Sequence, residues 1–110
     1  MAVVDDVIQH KALAAVEFIG RAEPVRAAYL FGSQINGTAH EFSDIDLAVF
    51  VRGVENWDFQ KRVDLAVQVR IQVDNDVEVH FFPGGVLDNP PVASFAEYVI
   101  ENGIRIWGEE

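Results

Sequence analysis

The sequence predicts an α+β or α/β protein, a small sheet with helices packed on it, and three observations carry that expectation. Segments with helical and strand-like periodicity alternate along the chain. Gly20, Pro24, Gly53, Pro83-Gly84-Gly85 and Gly103 fall between those segments, where breakers belong. Half of the 110 residues are hydrophobic, enough for a real but small core. That length is the size of one domain, spanning 1–110.

Apolar residues at Val4, Val7, Ile8, Ala12, Ala15, Val16 and Ile19 follow helical spacing, which predicts a helix over Ala2–Gly20 with Gly20 as its stop. Pro24 breaks the chain before a strand, Val25–Phe31, that runs into Gly32. The polar stretch Gln34–Ser43, with Gly37 inside it, is a loop or a short helical turn. Asp44–Val51 is apolar and β-branched enough for a second strand, ended by Arg52-Gly53. Residues 55–73 support two readings. Phe59, Val63, Ala66, Val67 and Arg70 form a helical stripe, and length favours a helix over Asn56–Arg70. Yet Val63, Leu65, Val67, Val69, Ile71 and Val73 alternate as a strand would, so 63–73 stays open between helix and strand. Asp74-Asn75-Asp76 is a turn, and Val77–Phe82 a third strand stopped by Pro83. Ser94–Asn102 is a last helix capped by Gly103, and Ile104–Trp107 a closing strand.

Composition narrows the function. The chain has no cysteine, which excludes disulfides and thiolate metal sites and fits a cytoplasmic protein. Its first ten residues carry Asp5 and Asp6 and no basic n-region, so no secretory signal is expected. No apolar run approaches the ~20 residues needed to cross a bilayer, so no membrane partner is expected. The formal charge is −10, with a pI near 4.5 and the eight basic residues scattered. Direct nucleic-acid binding through neutralised phosphates is therefore not expected. The acidity provides a solvated surface, or complements a basic protein partner.

Chemistry is concentrated in Gly32-Ser33, then ten residues, then Asp44-Ile45-Asp46. Side chains alternate across a strand, so Asp44 and Asp46 project to one side. Two adjacent carboxylates repel each other unless a cation lies between them, which calls for a divalent metal. The glycine turn upstream offers backbone amides for a phosphate. In the third strand, Glu78, His80 and Phe82 share the face opposite Val77, Val79 and Phe81. If that strand lies beside the second, Glu78 joins the aspartates as a third acid around one or two Mg²⁺ ions. If it lies at an edge, Glu78 simply faces water. His80 could contact a metal or act as a base, although a lone strand histidine more often serves packing or surface. Trp57 and Trp107 fit packing anchors better than a nucleobase shelf. Val86, Leu87 and Val92 offer an apolar surface for a partner or a second copy in a homodimer.

Phe31-Gly32-Ser33-Gln34-Ile35-Asn36-Gly37, followed by Phe42-Ser43-Asp44-Ile45-Asp46-Leu47-Ala48-Val49, closely resembles the minimal nucleotidyltransferases of the DNA polymerase beta superfamily. That family's signature is Gly-Ser, ten residues, Asp-x-Asp, and the spacing is met without a gap. The order of elements agrees along the whole chain. The resemblance implies the nucleotidyltransferase fold, a small mixed β-sheet with helices on it. It makes Asp44, Asp46 and Glu78 the catalytic metal ligands, for two Mg²⁺ ions with ATP as substrate. It assigns Gly32, Ser33 and Ser43 to the nucleotide. Two features depart from the family: Gln34 and Asn36 stand where many members carry arginines, and the third acid is Glu rather than Asp.

Short members of this family resemble antitoxins that work with a separately encoded helical HEPN partner, moving AMP from ATP onto a tyrosine hydroxyl of that partner. The resemblance therefore implies AMP transfer to a protein hydroxyl, with a HEPN-family protein as partner. Two other functions compete: a non-catalytic module that neutralises its partner by contact, which Gln34 and Asn36 favour, and transfer of a nucleotide to a small molecule.

Overall fold

Each central strand carries two different sets of side chains, and the helices divide between the two faces that result. The computed structural model describes residues 5–32 and 44–109. Among the described residues the chain forms α1 (Asp6–Gly20), β1 (Val25–Phe31), β2 (Ile45–Val51), α2 (Phe59–Gln72), β3 (Val77–Pro83), α3 (Phe95–Asn102) and β4 (Ile104–Gly108). Short 3-10 turns occupy Val54–Asn56 and Gly84–Leu87. The sheet order is β3-β2-β1-β4, with β1 antiparallel to β2 and β4, and β2 parallel to β3. A parallel pair needs a crossover, and α2 supplies it. The architecture is α+β, with a mixed four-stranded sheet and three helices among the described residues.

Ile45, Leu47, Val49 and Val51 of β2 meet Val77, Val79 and Phe81 of β3 on one face. There α1 adds Ala12, Ala15, Val16 and Ile19, and α2 adds Val69. The opposite face holds Tyr29 and Phe31 of β1 with Ala48 and Phe50 of β2, covered by Ala96 and Val99 of α3. Its rings interlock, Tyr29 edge-on to Phe50 at 5.7 Å and Phe82 stacked on Phe50 at 5.1 Å.

Each helix starts at a residue that can satisfy its free amides. Asp5 accepts from Val7 N at 2.8 Å, Asp58 from Lys61 N at 2.7 Å, and the Ser94 hydroxyl from Glu97 N at 3.1 Å. Ser94 is therefore the cap of α3 rather than its first turn. Gly103 closes that helix, as expected, but through close approach: a Cβ there would lie 2.6 Å from Val99 O and 2.8 Å from Leu30 O.

The open segment 63–73 is helix through Gln72. Its strand-like alternation comes from two helical stripes offset by two residues. Leu65, Val69 and Val73 point to the core, with Val69 fully buried. Phe59, Val67 and Ile71 lie on the outside, exposed by 80%, 45% and 73%. Two residues turn a helix by about 200°, so inward and outward stripes interleave with the period of a strand. The expected helical residues 2–4 and the loop 34–43 lie outside the described residues.

The two tryptophans differ. Trp57 packs edge-on to Phe81 at 5.2 Å and lies under the Lys61 ammonium, as an anchor should. Trp107 is more than one-third exposed and lines a recess of about 640 Å³ between α1 and the start of β1. Val86 and Leu87 are not a free surface, because the 3-10 turn folds them against the aromatic core; Val92 alone is open, at 90% exposure. Among the described residues no helix is long and apolar enough to cross a membrane.

Candidate active site

The acids occupy the end of the sheet where β1 stops and β2 begins. In the register, Phe31 of β1 lies opposite Asp46, and Asp46 lies opposite Glu78 of β3. Residues paired across neighbouring strands point to the same face, so Asp46 and Glu78 both project from the aromatic face. His80 sits two residues further along that face. One ligand atom each from Asp46, Glu78 and His80 can be chosen so that all three lie within 4.8 Å of one another. All three side chains are half-buried.

Gly32 follows Phe31 with φ +81°, a conformation that favours glycine. A Cβ at this position would collide with Asp46 Oδ2. The bare α-carbon therefore lets the turn pass directly over the carboxylate.

The sequence expectation grouped Asp44 with Asp46 and Glu78. The structure brings Asp46 and Glu78 together and adds His80, while Asp44 points elsewhere. The strand begins only at Ile45, so Asp44 is not held by its pleat. It is exposed, and its Oδ2 lies 3.6 Å from Arg70 Nη2, whose other nitrogen donates to Asn75 O at 2.7 Å. Ser33 and Ser43, expected to contact the nucleotide, lie outside the described residues, as do Gln34 and Asn36.

The surroundings of Asp46 disfavour its charged form. Burial first, and the Glu78 charge second, push its carboxyl above the ordinary carboxylate range, with His80 opposing them. His80 Nε2 is 3.6 Å from Asp46 Oδ1, too far for a hydrogen bond, and it is buried with no partner among the described residues. Two carboxylates and an unpartnered imidazole nitrogen suit a divalent cation. His80 joins the two acids in this cluster, and its shared face with Glu78 was the signal for that in the sequence.

The aromatic face continues around this group. Phe31 meets His80 edge-on at 5.1 Å, and Phe95 of α3 lies 5.2 Å from Phe31 and 6.1 Å from His80. Phe95 and Tyr98, stacked at 6.5 Å, are about half exposed. A recess of about 350 Å³ runs beside His80 along the outer edge of β3. There Arg62 of α2 donates to the Phe81 carbonyl at 3.1 Å and covers part of that edge.

A glycine turn crosses a carboxylate at the end of a mixed α+β sheet, with a second acid in register beside it, an arrangement that could hold a divalent cation. The chain belongs to the family described as Polymerase beta, Nucleotidyltransferase, whose profile matches residues 15–109. No curated protein sequence matches the chain significantly. Among solved structures, a toxin–antitoxin crystal structure with AMP-PNP is similar at 26% identity and a TM-score of 0.65, covering 93% of this chain and 74% of that one. A nucleotidyltransferase-like protein from Sulfolobus solfataricus is similar at 18% identity and a TM-score of 0.69, covering 94% and 82%. A complex of a tri-AMPylated Shewanella oneidensis HEPN toxin with an MNT antitoxin matches at 23% identity and a TM-score of 0.54, covering 90% and 73%. The two at lower identity share the fold.

Proposed function

We propose that this chain transfers AMP from ATP to a hydroxyl of a protein partner, acting as the antitoxin of a HEPN-type pair. The single observation that carries the chemistry is the register that sets Asp46 beside Glu78 at the Gly32 turn. The similar complexes support the biology, since one was crystallised with a nonhydrolysable ATP analogue and another contains an AMPylated HEPN toxin.

In this reading Asp46 and Glu78, together with Asp44 once it is released from Arg70, would hold Mg²⁺; the family's scheme uses two ions. When bound there, a divalent ion would offset the charge of the triphosphate and of the α-phosphorus displacement. The rest falls to the chain. Gly32, with Ser33 and Ser43, positions the phosphates, and the half-exposed Phe95 and Tyr98 give the acceptor an apolar approach beside the acids. The acceptor oxygen bonds to the α-phosphorus, the bond from that phosphorus to the bridging oxygen breaks, and pyrophosphate leaves. The hydroxyl proton passes to a site carboxylate or to water.

The test is to incubate the chain with ATP labelled at the α-phosphate, Mg²⁺ and the protein encoded by its neighbouring gene. Label should appear on that protein with the wild type and not with Asp46→Asn. No label, or equal label with Asp46→Asn, overturns the reading. A contact-only role, favoured by Gln34 and Asn36, predicts instead that neutralisation survives Asp44→Ala combined with Asp46→Ala.

A further inference from the structure

We infer that His80 Nε2 is a direct ligand of the same divalent ion as Asp46 and Glu78, making a mixed nitrogen–oxygen site that takes Mn²⁺ in preference to Mg²⁺. This rests on the reading that the two acids bind a divalent ion and adds a ligand to it.

Four observations converge. His80 lies on the same strand and face as Glu78, two residues away, so its ring projects over the same patch. Its Nε2 is buried and has no hydrogen-bond partner among the described residues, a costly state for an imidazole nitrogen. The distance to Asp46 Oδ1, 3.6 Å, is too long for an N–H···O bond. It falls between the donor separations on one six-coordinate ion with bonds of about 2.1 Å, about 3.0 Å when adjacent and about 4.2 Å when opposite, so closing by about 0.6 Å would make the two atoms adjacent ligands. Finally, the ring is held in place. Phe31 and Phe95 pack edge-on against it at 5.1 and 6.1 Å, which fixes its direction before any ion arrives.

Ligand type then sets the choice of metal. Mg²⁺ favours oxygen donors and retains its water, whereas first-row transition ions accept imidazole readily. Among them Mn²⁺ also suits carboxylates, so it matches both kinds of donor here.

Electron spin echo spectroscopy of Mn²⁺ bound to the full chain provides a direct readout. Wild type should show nitrogen modulation that changes from the ¹⁴N to the ¹⁵N pattern when only the histidines carry ¹⁵N. That comparison needs no variant and so does not depend on a substituted protein folding. His80→Gln should lose the modulation, and His10→Gln and His40→Gln should keep it. Replacing His80 should weaken Mn²⁺ binding by at least about tenfold while changing Mg²⁺ binding by less than about threefold. A purely structural role would weaken both ions alike. Mn²⁺ bound without nitrogen modulation, or modulation lost only in another histidine variant, overturns this inference and leaves the acid site standing. Failure of the wild type to bind Mn²⁺ or Mg²⁺ removes both.

Discussion

The two faces of one sheet are built from the same strands and differ in almost everything else. Toward α1 and α2, β2 presents Ile45, Leu47, Val49 and Val51, all but sealed from solvent. Toward α3, the residues between them are Asp46, Ala48 and Phe50. The first face is aliphatic and closed. The second is aromatic for most of its length, and at one end it gives way to Asp46, Glu78 and His80. Stability and chemistry are thus separated by a single residue step along a strand. A domain this small can hold half-buried acids on one face because its other face supplies a dry core.

Neighbouring residues should therefore fail in opposite ways. Asp46→Asn should cut nucleotidyl transfer by at least about a thousandfold, the scale of several kcal/mol of lost charge stabilisation, while circular dichroism and unfolding stay near wild type. Leu47→Ala, one residue on and fully buried, should cost about 2–5 kcal/mol in urea unfolding. Its transfer rate, measured where the variant is folded, should stay within severalfold of wild type. If Asp46→Asn unfolds the chain, or Leu47→Ala abolishes transfer while folded, the separation of faces fails.

Gly32→Ala joins the two effects. Its φ of +81° is strained for any residue with a Cβ, and that carbon meets Asp46 Oδ2. We expect a loss of about 1–2 kcal/mol of stability together with weaker divalent-ion binding, read by calorimetry. Arg70→Ala should do the reverse at smaller scale. Releasing Asp44 from its partly exposed pair should tighten divalent-ion binding by up to about fivefold, since such a pair is worth no more than about 1 kcal/mol. No change would mean that Asp44 does not reach the ion.

The smallest effect is on pH dependence. The folded state raises the Asp46 pKa, so the protonated carboxyl favours folding at low pH, and the ionised one opposes it once pH has risen through the folded value. Without divalent ions, Asp46→Asn should match wild type below about pH 4 and become the more stable protein as pH rises toward 8. The gap should stay under about 1 kcal/mol, because water still screens a partly exposed group. Unfolding measured across that range checks the sign.

Much of this was legible in the sequence, for local reasons. Alternating Val, Glu and His in 77–80 predicted the two faces of β3, and the β-branched run after Asp44 predicted β2. What the sequence could not supply was the partnership between strands. Glu78 could face water at an edge or lie with the aspartates, and β3 turns out to be both the edge strand and the neighbour of β2, with Glu78 in register with Asp46. The alternation at 63–73 left helix and strand both open because two helical stripes offset by two residues imitate a strand. Asp44 and Asp46 share a side only if the strand includes both, and its start at Ile45 left Asp44 to Arg70. His80 looked ordinary as a lone histidine, because the burial of one nitrogen is a tertiary property.

If Asp46 and Glu78 form a divalent-ion site on the open face, added Mn²⁺ stabilises the folded chain, and thermal unfolding measures that gain. An ion bound only by the folded chain stabilises it by about 2.7 kcal/mol at a hundredfold excess over Kd. Wild type should therefore melt several degrees higher with Mn²⁺, and Asp46→Asn and Glu78→Gln should each lose most of that gain. If wild type gains nothing, or the variants gain as much as it does, the two acids do not form the site.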